Sequence, residues 1–436
     1  MLRPHLVLKH EREFGENVSF APIHKFLSFS RLTRVMIAGD RISERSSAEM
    51  SAAAAIRPLH PTRRVFYLVD SFDVGGTETQ AVELALRIGA AGYEVTLGSL
   101  RAEGPLLQRL QGSPVVVKEF HPTGGIDSPR GLYQILRLSW FLRRGKFDVV
   151  HTHDLWSNLM GVPAARLAGI PAIVSSRRDL AHLDWYQGKR RVWLRRIQGL
   201  SHAIVANATP VRDDLIAQDG FAPESLHVIR NGVDVGKFQG PSEREELFPA
   251  VGSGTLIVLV GNMHTDVKGH PWLIESASAV VREFPSTRFV LVGDGEARET
   301  FASQVRKLGL EEHFLFLGRR GDVPRILASC DIAVLPSRAE GLPNAVLEYM
   351  AAGLPTVVSR VGGNEDLVQD GVTGLLVPAE NSTALGAALL RYLRNPEEAR
   401  AIAESGREFV IRNFSFERLV REVDELYSAI LQGRNA

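Results

Sequence analysis

Glu340 and Glu348 stand with seven residues between them in the stretch Pro-Ser-Arg-Ala-Glu-Gly-Leu-Pro-Asn-Ala-Val-Leu-Glu, positions 336–348. Between them, Gly341-Leu342-Pro343-Asn344 forms a turn that lets backbone come close to a ligand and aims free N–H groups at it. The apolar run ending at Pro336 reads as a buried parallel strand. A helix is expected after the turn, with Asn344 as its N-cap and Pro343 just ahead, stopped by Gly353 and Pro355. The positive end of such a helix suits an anion, most simply a phosphate. Two carboxylates flanking a phosphate would repel it, so they are better employed accepting hydrogen bonds from neutral hydroxyls on either side. A nucleotide sugar offers those hydroxyls, ribose on one side and hexose on the other.

The elements that must position this stretch alternate along the chain. The first strand, residues 64–70, runs into Gly75-Gly76 and then a helix through Glu78, Ala81, Leu84 and Ile88. Further strands are expected at 93–100, 115–120, 147–151, 172–175 and 202–206, and a second alternating series begins at 255–260. This pattern specifies an α/β protein of two doubly wound, Rossmann-like domains, with ligands at the strands' carboxyl ends and a cleft between the domains. His151, His153 and Asp154 fall at one such end, and Arg177, Arg178 and Asp179 at another. A histidine ending a strand is often only a packed side chain, and both readings stay open for His153. The turns at Val290 to Gly295 and Phe314 to Asp322 are ordinary glycine turns taken singly.

Taken in order, the Glu-x7-Glu stretch, Val361-Gly-Gly and Thr373-Gly-Leu-Leu-Val-Pro378 resemble the retaining glycosyltransferases of family 4, built on the GT-B fold, over roughly residues 64–432. The resemblance implies metal-independent transfer of a sugar from a nucleotide-sugar donor to a hydroxyl acceptor, such as a lipid-linked saccharide or polysaccharide precursor, with no cofactor. It implies an acceptor-side domain over 64–238, a donor domain over 247–412 and a last helix, 413–436, crossing back to the first. Glu348 would hold the ribose, and Glu340 would contact the donor sugar and act in catalysis with Lys268. Gly341, Leu342, Pro343 and Asn344 would serve the diphosphate, and Gly76 would approach from the first domain. Lys268, at the expected start of a helix over 271–281, meets the diphosphate as a point charge. The family usually has arginine where Asn262 stands, so Arg319, Arg320 or His264 is expected to replace that charge, with Arg319 near the nucleotide. It also usually has glutamate at Asp366, and commonly a histidine near Arg178, which is absent here. The acceptor side is therefore left to His153, Asp154 and Arg178.

Composition narrows the alternatives. The 436 residues suffice for two domains, and a net charge of +1 with mixed signs suggests no nucleic-acid partner. The single cysteine, Cys330, excludes an internal disulfide or a cysteine metal cluster and reads as a small buried hydrophobe. Residues 1–63 read as a disordered extension, with an upstream start wrongly placed ahead of Met50 as the rival explanation. No apolar run is long enough to span a bilayer, which points to the cytoplasm, at most at the inner face of a membrane. Two segments, 140–146 and 189–196, are basic and aromatic. They are read first as solvated faces whose aromatics pack inward, and second as peripheral membrane contacts. Oligomeric state is not legible. A glycosidase pair, a nucleotide-sugar epimerase of the same architecture and a non-catalytic nucleotide-sugar-binding subunit are the rivals to a transferase.

Overall fold

The computed structural model describes residues 62–121, 128–180, 189–249 and 251–433. The expected N-terminal extension lies almost wholly outside the described residues.

Seven strands form the first sheet: β1 (Arg63–Val69), β2 (Tyr93–Ser99), β3 (Val116–Glu119), β4 (Val149–His153), β5 (Ala172–Arg177), β6 (Ala203–Ala206) and β7 (Leu226–Val228). Six form the second: β8 (Leu256–Val260), β9 (Arg288–Val292), β10 (Phe314–Gly318), β11 (Ile332–Leu335), β12 (Thr356–Ser359) and β13 (Leu375–Val377). The orders are β3-β2-β1-β4-β5-β6-β7 and β10-β9-β8-β11-β12-β13. Every pairing within the two sheets is parallel. Both are doubly wound, as the alternation requires.

Alternation along β1 shows why the sheet is covered on both faces. Val65, Tyr67 and Val69 pack into a core with the helix Gly76–Ile88 and the terminal helix Phe416–Gly433. Phe66 and Leu68 point the other way, into a core with the helices Pro129–Gly145 and Leu155–Ala168. Side chains along a strand point alternately to its two faces, so an unbroken apolar strand is what two covered faces demand. The terminal helix buries Phe416, Leu419, Val423, Leu426 and Tyr427 against the first sheet, although it follows the last strand of the second.

Each sheet reverses strand order once, between β1 and β4 in the first and between β8 and β11 in the second. Ligands in doubly wound sheets bind outside the carboxyl ends of the strands at such reversals. The loops after those four strands carry Gly76, Asp154, Lys268 and Glu340. The topology thus directs the sequence's candidate residues to two facing points.

The basic, aromatic helices depart from expectation. Phe141, Leu142 and Leu194 turn inward, but Trp140 and Trp193 are each 59% exposed, and Leu132, Tyr133 and Leu136 are exposed beside Trp140. The inward stripe of each helix is already filled by other apolar residues. The tryptophans are left on the outside.

Candidate active site

The 336–348 stretch folds much as its residues dictate. β11 ends at Leu335, the turn follows, and the helix Asn344–Ala351 begins at once and stops before Gly353, whose φ is +73°. Gly341 is required where the turn passes the first sheet, because a Cβ there would lie 1.8 Å from the Arg178 carbonyl oxygen. The Gly362-Gly363 pair serves the same turn from below. A Cβ on either would lie 1.9 Å from a carbonyl oxygen, that of Glu340 or of Gly341, and the Gly363 N–H donates to the Gly341 carbonyl at 2.7 Å. The Val361-Gly-Gly motif is therefore a backbone platform under the Glu340-Gly341 turn.

Asn344 does not cap its helix. Pro343 occupies the N-cap, and the Asn344 side chain reaches across to the first sheet. Its Nδ2 donates to the Gly76 carbonyl at 3.1 Å, while its Oδ1 accepts from Asn231 Nδ2 at 2.8 Å and Gln80 Nε2 at 3.3 Å. Asn231 also donates to the Leu342 carbonyl at 3.2 Å and accepts from Arg178 Nη1 at 2.8 Å. Arg178, Asn231, Asn344 and Gly76 thus form one hydrogen-bonded chain across the gap between the sheets. Cross-lobe bonds of this kind outcompete a local cap because the buried amides need partners.

Glu340 is only 8% exposed. Its carboxylate accepts from Lys268 Nζ at 2.7 and 3.0 Å and from Ser337 Oγ at 2.7 Å. Lys268 does not begin the following helix. It ends a short 3-10 turn, Asp266–Lys268, and the helix His270–Glu283 starts after Gly269. The Glu348 carboxylate, on a partly buried residue, makes no hydrogen bond among the described residues, and burial raises it from the ordinary 4.5 to about 7 against the attraction of Lys237 and Arg109.

Three cavities surround these groups. One of about 570 Å³ is walled by Gly76, Asn262, His264, Lys268, Arg319, Arg320, Pro343, Asn344 and Glu348. Another, about 530 Å³, continues past Glu348 and Arg320 to Arg109 and Lys237. The smallest, about 150 Å³, lies between Gly76, Arg178, Asp179, Lys268, Glu340 and the Gly341–Asn344 backbone. The structure thus brings together Gly76, Asn262, Lys268, Arg319, Glu340, Gly341, Leu342, Pro343, Asn344 and Glu348, with Arg178 from the acceptor-side set.

His153 and Asp154 are placed differently. β4 runs on to His153, two residues past the expected end, and all five of its residues are buried. His153 has no exposed surface; its ring stacks on His151 with centroids 4.2 Å apart, and neither ring nitrogen has a hydrogen-bond partner among the described residues. Burial holds its pKa well below the ordinary value, with His151 and Arg178 adding to the shift, so it is neutral. His151 is a packed, hydrogen-bonded residue between Tyr427 and Ser176. Asp154, at φ 111°, caps the helix Leu155–Ala168 by accepting from the Leu155 N–H. Around Arg178 the sequence reading missed further acids. Burial raises Glu78 to about 7, with Asp70, Asp73 and Asp179 reinforcing the shift. Burial also raises Asp70 and Asp154, and it lowers Arg178 to about 10 despite the neighbouring Asp154, Glu78 and Asp179.

Asp366 was noted only as a shorter stand-in for glutamate. Its carboxylate accepts from the Thr209 N–H at 2.8 Å and pairs with Arg230 at 3.2 Å, tying the second sheet's platform to the first.

This arrangement coincides with two family models. Residues 74–237 match Glycosyltransferase Family 4, and residues 254–395 match Glycosyl transferases group 1; together they take in more than half of the chain. The chain is a family 4 glycosyltransferase. As such it is an enzyme that transfers a sugar from a nucleotide-sugar donor to a hydroxyl acceptor, retaining the anomeric configuration.

The transferase is 27% identical over 344 residues to the Escherichia coli UDP-Gal:alpha-D-GlcNAc-diphosphoundecaprenol alpha-1,3-galactosyltransferase, covering 75% of this chain and 87% of that one. It is 25% identical over 386 residues to a D-inositol 3-phosphate glycosyltransferase of Saccharomonospora viridis, covering 81% and 89% respectively. Among solved structures, Anabaena HepE in complex with UDP-glucose superimposes with a TM-score of 0.73 at 22% identity, over 84% of this chain and 99% of that one. At that identity the likeness speaks for the GT-B fold.

Among the described residues no group of three or more His, Cys, Asp or Glu side chains is placed to hold a metal ion, and no helix is long and apolar enough to cross a membrane.

Proposed function

We propose that the transferase takes a uridine-diphosphate sugar and passes the sugar to a hydroxyl of a lipid-linked saccharide or polysaccharide precursor. The observation that carries this reading is the meeting of Lys268, Glu340 and the start of the helix Asn344–Ala351 with Gly76 across one gap. The uridine is supported by the donors printed in the names of the Escherichia coli relative and the HepE complex. The lipid-linked acceptor is supported by that same relative's name.

In this reading the diphosphate lies in the 570 Å³ cavity, with the Asn344 helix start and Lys268 facing the charge that develops as the sugar leaves. Before donor arrives, Lys268 is held by Glu340. The diphosphate displaces part of that pairing, so the Glu340 carboxylate is released toward the sugar hydroxyls just as Lys268 turns to phosphate. Charge neutralisation then falls to protein groups, and metal is not required. The departing phosphate takes the acceptor proton on the same face, so no protein nucleophile is needed. Glu348 accepts from the ribose hydroxyls, while Arg319 supplies the positive charge that Asn262 lacks; Arg320, on the same wall, is already paired with Asp322 at 2.6 Å.

A thermal-shift panel of nucleotide sugars tests the donor. At a hundredfold excess over Kd, a ligand bound only by the native state adds about 2.7 kcal/mol of stability. A UDP-sugar should raise the melting temperature most; a guanosine-linked sugar doing so instead, or no member of the panel doing so, would overturn the uridine assignment.

Glu348 gives a second expectation with a defined sign. Its folded pKa of about 7 lies above the ordinary 4.5, so the folded chain holds a proton that the unfolded chain has lost, and stability falls as pH rises through that window. Glu348→Gln removes the ionisation. The melting temperature of the variant relative to wild type should therefore climb between about pH 5 and about pH 8, while its affinity for UDP drops. A difference that does not vary with pH would show that Glu348 is not held in its raised state.

A further inference from the structure

The helix Pro129–Gly145 presents Leu132, Leu136 and Trp140 to solvent at successive i, i+4 positions, with Tyr133 beside them; their exposures run from 52% to 64%. Its opposite stripe, through Ile135, Leu138 and Leu142, is the one buried on the sheet. Arg130, Arg137, Arg143, Arg144 and Lys146 are exposed around this apolar patch, and the Arg144 guanidinium lies over the Trp140 ring at 4.3 Å. The helix Leu155–Ala168 packs between this one and the helix Lys189–Gln198, which exposes Val192, Trp193, Arg195 and Arg196.

None of the three helices contains an Asp or a Glu. Among the described residues Arg130, Arg137, Arg143, Arg144, Lys146, Arg195 and Arg196 make no ion pair, whereas Arg191, on the inner side, is bound to Asp219 at 2.7 Å. For a chain of net charge +1, this is a strong local excess of one sign around exposed tryptophans. Water gives such a surface little. An interface of apolar chains beneath anionic headgroups matches both halves of it, since tryptophan and leucine enter the acyl boundary while arginines stay with the phosphates.

We propose that this face, made by the helices Pro129–Gly145 and Lys189–Gln198, docks on an anionic lipid bilayer. The placement suits transfer to a lipid-linked acceptor. Arg178 and Asp179, at the wall of the 150 Å³ cavity, follow β5 of the first sheet, and the docking face is made by helices that pack on that same sheet, so the face and the acceptor side of the active site belong to one domain. The proposal deepens the reading of a lipid-linked acceptor, and the two fail separately. Vesicle binding without transfer to any lipid-linked saccharide would remove the acceptor reading and leave the docking face standing.

Co-sedimentation of the full chain with vesicles tests it. Vesicles of phosphatidylcholine with phosphatidylglycerol should carry the protein down at low salt and release it as salt is raised, while vesicles of phosphatidylcholine alone should leave it in solution. Leu136→Ser with Trp140→Ser, and separately Arg137→Gln with Arg143→Gln and Arg144→Gln, should each lower vesicle affinity by more than about tenfold. Because these side chains are exposed, the melting temperature and its rise with UDP should stay as in wild type. Failure of wild type to bind phosphatidylglycerol vesicles, or retention of binding by both variants, would overturn the proposal. So would vesicle-independent dimers that Trp140→Ser dissolves, which would make the patch a contact between copies of the chain.

Discussion

Lys268→Ala is expected to lower kcat/KM for sugar transfer by about two to three orders of magnitude, the loss typical when one donor aimed at developing charge is removed. Lys268 lies at the wall of both the 570 Å³ and the 150 Å³ cavities, so its Nζ can reach a diphosphate and the adjoining sugar together. Its removal does more than subtract an attraction. Glu340, 8% exposed and no longer paired, would face the incoming diphosphate with an uncompensated negative charge. The Glu340 side chain is only 7% exposed, so leaving it without its cation should also lower the melting temperature, and the kinetic loss is read at a temperature where the variant is folded. Steady-state kinetics with each substrate varied would check this, and a loss smaller than about tenfold would show that the leaving group's charge is neutralised elsewhere.

Glu340→Ala should be as damaging to transfer, by about two orders of magnitude or more, yet opposite in its effect on the free nucleotide. The unliganded enzyme holds Lys268 on Glu340 at 2.7 and 3.0 Å, so on the proposed reading the nucleotide diphosphate has to compete for the lysine. Without Glu340 that competition disappears. Calorimetry should find UDP bound at least as tightly by Glu340→Ala as by wild type, while the sugar is no longer transferred. Glu340 is also a buried group, and its carboxylate accepts from Ser337 as well. Its loss leaves Lys268 and Ser337 with an unmade bond each, and some loss of stability is expected alongside the loss of activity. A variant that transfers at the wild-type rate would remove Glu340 from the donor site.

Much of the fold was legible because two signals agree along the chain. An unbroken apolar run such as Val65 to Val69 requires two covered faces, and this one is followed by a glycine turn and a helix start. The donor stretch was legible for the same reason: Gly341, Pro343 and the two glutamates each have a local purpose that their type reveals. What the sequence hid were bonds made between lobes. Asn344 has the composition of an N-cap, but its partners Gly76, Gln80 and Asn231 lie more than a hundred residues away. Asn231-Gly232 has the composition of an ordinary turn, yet Asn231 bonds to both Arg178 and Asn344. Asp366 looked like a conservative shortening, whereas its length suits the Thr209 N–H and Arg230.

His153 was hidden by strand length: β4 runs two residues further than expected and sets His153 on the same buried face as His151. One added pair of residues on β4 turns a loop-facing histidine into an interior one, and strand ends are the least certain feature of a sequence reading. For the Trp140 and Trp193 helices, the expectation that the aromatics pack inward fails for both tryptophans. The sheet took the aliphatic stripe of the first, Ile135, Leu138 and Leu142, and the helix Leu155–Ala168 took Leu194 of the second.

The central claim is that the start of the Asn344 helix and Lys268 together receive the donor's diphosphate between the two sheets. A structure of the enzyme with the UDP-sugar that most raises its melting temperature tests it most directly. The diphosphate should lie within hydrogen-bonding distance of Lys268 Nζ and the first turn of the helix Asn344–Ala351, with the ribose hydroxyls on Glu348. A diphosphate bound away from that turn, with Lys268 still fully paired to Glu340, would contradict the account.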